Sequence, residues 1–144
     1  MKNLFLTLAL GFATLFASAQ NFMVVTNYNA PEDGAEWEMS SLTDNMGIGY
    51  SINDTWTVGF IKAGEDSLGD ANYDLFGRYN WTKEVYVSVQ APTEEMMDNL
   101  TVGLGYSFNA WKGLYVEPNY SMGLKEDANG EREGTFNLGL AYRF

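Results

Sequence analysis

The feature that most constrains this chain is a two-residue alternation of apolar and small polar side chains, repeated along nearly its whole length. In 134–144, Phe136, Leu138, Leu140, Tyr142 and Phe144 alternate with Thr135, Asn137, Gly139, Ala141 and Arg143. In 99–108, Leu100, Val102, Leu104, Tyr106 and Phe108 alternate with Thr101, Gly103, Gly105 and Ser107. A strand sends successive side chains to opposite faces, so each run reads as a strand with one apolar face and one small polar face. The same pattern gives eight segments, 22–28, 42–52, 55–63, 72–81, 84–91, 99–108, 113–124 and 134–144. The first is apolar on both faces, at Phe22-Met23-Val24-Val25. No stretch has a helical period long enough to compete, so the chain reads as all-β.

The connections alternate in length. Asn53-Asp54, Thr82-Lys83 and Asn109-Ala110-Trp111-Lys112 are short, whereas 29–41, 64–71, 92–98 and 125–133 are long. Successive strands joined this way form an up-and-down antiparallel meander with short turns at one end and long loops at the other. Most of the acids fall in the long loops, and they account for the net charge of −11. The strands and short turns are close to neutral. Such a charge balance argues against nucleic acid as a partner, which needs a basic footprint.

Eight strands with one apolar face fit a soluble sandwich, a lipocalin-like ligand-binding barrel or a transmembrane barrel. The polar face is rich in Gly, Ser, Thr and Asn and poor in Lys and Glu, unlike a solvated strand face. Small neutral residues suit the narrow lumen of an eight-stranded barrel. On the apolar face, Tyr50, Trp56, Tyr79, Trp81, Phe108, Tyr142 and Phe144 lie toward the short turns, and Trp111 lies in one of them. Aromatics are 15% of the residues. A ring of them at one end is what a headgroup boundary favours.

The N-terminus reads as a secretory signal peptide over 1–19. One charge at Lys2 is followed by an apolar run from Leu4 to Phe16 and the small-x-small site Ala17-Ser18-Ala19. The barrel then occupies 20–144. The chain has no Cys and no His. Disulfides, thiolate metal sites, Ser-His-Asp hydrolysis and Cys-His chemistry are therefore excluded by composition. No enzymatic role and no cofactor are expected.

With its leader, its eight alternating segments and its closing Ala141-Tyr142-Arg143-Phe144, the chain resembles the small outer-membrane barrels of the OmpA-transmembrane-domain and OmpX type. The mature start at Gln20 is similar to exported proteins of the Bacteroidota. The resemblance implies residence in a Gram-negative outer membrane. It implies contact with lipid and lipopolysaccharide, and recognition of Phe144 by the barrel-assembly machinery, as a monomer. It also implies a structural or interaction role, with a narrow porin for small solutes as the alternative.

Two sets of residues are candidates for chemistry. The inward positions Asp74, Arg78, Glu117 and Arg143 are expected to form a lumen charge network, since buried charges must be paired, with Arg78, Glu117 and Arg143 in the short-turn half and Glu117 between the arginines. Such a network is either a packing plug or a narrow ion path. In the long loops, Glu65, Asp66 and Asp70, and Glu94, Glu95 and Asp98, offer oxygen ligands to a cation or form a solvated rim. No transition-metal site is expected.

Overall fold

The computed structural model describes residues 21–28, 43–65 and 67–144. The expected leader, the first long loop and Asp66 lie outside the described residues. Nine strand segments run in order: β1 (Phe22–Tyr28), β2 (Met46–Ser51), β3 (Trp56–Glu65), β4 (Ala71–Asn80), β5 (Val85–Pro92), β6 (Thr101–Tyr106), β7 (Phe108–Trp111), β8 (Leu114–Gly123) and β9 (Gly134–Arg143). Every pairing is antiparallel between neighbours, and β9 returns to pair with β1, so the sheet closes.

β6 and β7 are two parts of one strand. Gly105 pairs with Asn119 and Phe108 with Val116, which is a single register on β8. The interruption at Ser107 falls opposite Glu117 and Pro118. Pro118 has no N–H to give to the ladder, and this accounts for the break at that point. The barrel is therefore eight-stranded.

Closure carries a stagger. Phe144 donates its N–H to Phe22 O at 3.0 Å. The register then runs from Phe22 to Tyr50, Val58, Gly77, Val89, Val102 and Met122, and ends at Gly134, ten residues back along the strand that leads to Phe144. Eight strands sheared by that amount tilt by about 40° and enclose a radius of about 8 Å. A 10-residue strand such as β3 then spans about 25 Å along the axis.

The three short turns lie at one end. Asn53 Oδ1 accepts from Thr55 N at 2.9 Å and Trp56 N at 2.8 Å. Thr82 Oγ1 accepts from Glu84 N at 3.1 Å and Val85 N at 2.9 Å. These are Asx- and Thr-type turns, in which a short side chain replaces a missing backbone partner. The third turn differs from the expected four-residue loop. Trp111 pairs with Leu114, which leaves only Lys112 (φ 24) and Gly113 (φ 88) between the strands. Positive φ at both central residues is the hairpin type that matches strand twist. β2 also starts later than the pattern suggests, at Met46.

Inside, Met23, Val25, Ile61, Phe76 and Ala141 form an apolar cluster with Tyr115 against it. This explains the doubly apolar first strand: Met23 and Val25 fill the lumen while Phe22 and Val24 sit at outward register positions. It also adds a few large apolar side chains to a lumen otherwise lined by small neutral residues such as Ser88, Thr101, Asn119, Ser121 and Asn137. Several glycines are inward because large side chains lie over them. A Cβ on Gly59 would come within 2.6 Å of the Phe76 ring, and one on Gly105 would overlap the Tyr86 ring. The glycines make room for packing rather than leaving an open bore.

Candidate functional site

The lumen charge layer is built around Glu117, which is 2% exposed. Its Oε2 lies 2.9 Å from Arg78 Nη2. Its Oε1 accepts from Arg78 Nη1 at 3.0 Å, Ser107 Oγ at 2.6 Å and Arg143 Nη2 at 2.9 Å. Arg143 Nη2 also donates to Ser107 Oγ at 2.9 Å. The carboxylate thereby receives four contacts, three on Oε1 and one on Oε2. Each guanidinium in turn lies against an aromatic ring: Arg78 over Tyr86 at 3.9 Å and Arg143 over Tyr115 at 4.0 Å from the centroid. Cation–π contact of this kind partly compensates a cation removed from water. Five side chains from four strands thus form a stack, Tyr86–Arg78–Glu117–Arg143–Tyr115, across the lumen.

Three of the four expected network residues meet here, and the fourth does not. Asp74 sits four residues before Arg78 on β4, about 13 Å away along the strand, where it accepts from Gln90 Nε2 at 2.7 Å. Around it lies an amide and hydroxyl layer in which Asn137 Nδ2 donates to Asn119 Oδ1 at 3.3 Å and Ser121 Oγ at 3.0 Å. Ser107, Tyr86 and Tyr115 belong to the charge layer and are not among the expected residues. Ser107 was hidden by the turn: a loop over 109–112 would pair it with Leu114 rather than set it opposite Glu117.

The charge layer divides the interior. On the short-turn side lies a cavity of about 490 Å³ that includes Thr57, Asn80, Lys83 and Arg143 in its lining. On the long-loop side lies a cavity of about 60 Å³ among the amide and hydroxyl groups. Arg78 is the one described residue that lines both.

Outside, the polarity is the reverse of a soluble domain. Val58, Phe60, Leu104, Tyr120, Phe136 and Leu138 are exposed along the strands. Tyr50, Trp56, Tyr79, Trp81, Phe108, Trp111, Tyr142 and Phe144 are exposed toward the short-turn end. They interlock there in pairs, with Trp56–Tyr79 and Tyr142–Phe144 centroids 4.9 Å apart. Phe22 and Tyr106 join this set through Tyr50 and Phe108, at 5.1 Å and 4.4 Å. Both lie outside the expected girdle, because their strand-end position depended on register.

At the long-loop end of β3, Glu65 Oε1 accepts from Lys62 Nζ at 3.0 Å, and Asp44 lies 3.8 Å from the same ammonium. Asp98 N donates to Glu95 O within a turn. Among the described residues no three acidic side chains converge where a metal ion would sit.

The fold and its surface define a class: a closed eight-stranded antiparallel barrel with charges inside and apolar side chains outside. No protein-family model and no curated protein matches the sequence. Among solved structures, the chain is similar to the outer membrane protein Ail of Yersinia pestis, determined in a phospholipid bilayer nanodisc. The identity is 16%, the TM-score 0.45, and the match covers 87% of this chain and 99% of that one. A likeness at that level adds nothing to what the barrel's own geometry carries.

Proposed function

We propose that this chain is an outer-membrane barrel of a Gram-negative envelope, with a plugged lumen, acting through its surface and its long acidic loops. The observation that carries the reading is the continuous outward face of exposed apolar and aromatic side chains around a lumen that holds the ion pairs. In water such a face would forgo about 1.5–3 kcal/mol for each large side chain left unburied. In hydrocarbon it is solvated at no cost, and closure leaves no backbone group unpaired at a sheet edge. The strand height of about 25 Å equals the apolar band of such barrels. The aromatic ring then lies at the inner headgroup boundary, and the acidic loops face outside with lipopolysaccharide. Phe144, outward at the end of the final strand, is positioned for the assembly machinery to read. A lipocalin-like carrier needs the opposite arrangement, an apolar lumen and a charged exterior.

Envelope fractionation tests the placement. Recovery in the outer-membrane fraction with heat-modifiable migration is the expected result, and recovery in the soluble periplasm overturns it. The role follows from the plug. With Arg78 and Glu117 spanning the lumen, reconstituted protein is expected to be silent in planar bilayers, and steady conductance would restore the narrow-porin reading.

A further inference from the structure

We infer that the short-turn cavity is a binding site for a small dissolved oxyanion, a phosphate or carboxylate group, held by Arg143. Charge is the starting point. The buried layer contains two guanidiniums and one carboxylate, so it carries one uncompensated positive charge in a poorly solvated lumen. Glu117 is already engaged by both arginines. Asp74, the other inward acid, is engaged by Gln90 on the far side of the layer.

Hydrogen bonding points the same way. A guanidinium has five donors. Arg143 spends only Nη2, on Glu117 and Ser107. Among the described residues none accepts from its Nη1 or its Nε. Its side chain is 31% exposed, whereas that of Arg78 is 8% exposed. Arg143 lines the cavity of about 490 Å³, well within the range of small-ligand sites. Arg78 backs the same cavity, and its buried Nε has no acceptor either. Lys83 adds a third cation to the lining, while Asp54 is the acidic side chain there. Thr57 and Asn80 supply neutral polar groups. With Nη2 committed, Arg143 offers single charge-assisted bonds from Nη1 or Nε, and a phosphate or carboxylate has separate oxygens to take one from Arg143 and one from Lys83, which a single-atom halide lacks. The charge layer closes the other side, so the ligand enters and leaves only through the short-turn mouth. This site depends on the closed barrel and not on which membrane holds it.

The test is a phosphate titration of the folded barrel in a phosphate-free maltoside detergent, followed by NMR of the arginine Nε–H signals at constant ionic strength with chloride as the balancing anion. The expected result is a saturable shift of the Arg143 signal with a dissociation constant of about 1 mM, the strength of two charge-assisted hydrogen bonds. The Asn137 side-chain signals, beyond the charge layer, stay in place. Arg143→Gln abolishes the saturable response, and Lys125→Gln, in an outer loop, leaves it unchanged. A linear, unsaturated drift in the wild-type protein overturns the inference without any variant being needed. Equal response to chloride alone, or a response that survives Arg143→Gln in protein shown to be folded by its migration, overturns it as well. Repeating the titration in nanodiscs of phosphatidylglycerol separates the two sources of phosphate. Competition by the lipid would mean that the headgroup, not the dissolved ion, is the occupant, and would overturn the proposal as stated.

Discussion

Replacing Glu117 by Ala is the most informative perturbation of this barrel. Glu117 accepts four contacts, from Arg78 twice and from Ser107 and Arg143 once each. Its removal strands two guanidiniums in the lumen, Arg78 against Tyr86, and Arg143 against Tyr115 and Ser107. Removing one partner of a buried ion pair costs about 3–5 kcal/mol, because the other charge is left uncompensated. Both arginines line the short-turn cavity, but Arg143, 31% exposed, recovers more hydration than Arg78, 8% exposed, so the lower half of that range is the minimum expected. With a urea slope of about 2 kcal/mol per molar, the unfolding midpoint falls by about 1.5–2.5 M. The assay is reversible urea unfolding from lipid vesicles, followed by Trp fluorescence. The companion is the triple variant Arg78→Met, Glu117→Leu, Arg143→Met. Apolar replacement of a whole buried network is commonly neutral or stabilising, so this variant is expected to regain most of the lost midpoint. A Glu117→Ala midpoint within experimental error of wild type would refute the idea that the layer is a tightly coupled plug. A triple variant as weak as the single one would refute the desolvation argument behind it.

The other predictions concern packing, turns and the outer face. Gly105→Ala drives a methyl into the Tyr86 ring and is expected to cost about 1–3 kcal/mol by overpacking, read as an earlier heat-modification transition. Asn53→Ala removes both side-chain bonds of the first short turn and is expected to cost about 1 kcal/mol, measured by the same urea titration. Phe60→Arg, on the outward face at the middle of β3, costs about 2–4 kcal/mol if that face is in hydrocarbon. Leu68→Arg, at an exposed loop tip, is expected to change stability by less than about 0.5 kcal/mol; equal effects at both positions would argue against membrane burial.

How much of this was legible in the sequence follows from the range of each interaction. The strands, their two faces and the alternation of short and long connections were readable because they depend on neighbours two residues apart. Phe136, Leu138 and Leu140 declare an outward face without reference to any other strand. Arg78, Glu117 and Arg143 could be named as inward and in need of partners, because a strand's period places them and burial demands pairing. Their pairing through Glu117 could be named too, but the neutral partners Ser107, Tyr86 and Tyr115 could not. Ser107 meets Glu117 because the hairpin at Lys112–Gly113 is two residues long, set by two positive φ angles, and because the register shifts by one residue between Asn109 and Trp111. Asp74 looked equivalent to Arg78 by parity, yet the tilt and stagger of the closed sheet put it in a different layer. The inward glycines showed the same ambiguity, since a missing side chain reads equally as a cavity or as room for a neighbour. Only the register, which brings Phe76 over Gly59 and Tyr86 over Gly105, decided for packing. The sequence by itself therefore determined which side chains face in and which face out, because that is a local property of the pleat. The tertiary structure alone decided which inward groups share a layer, because that depends on hairpin length and on the ten-residue offset at which β9 closes onto β1.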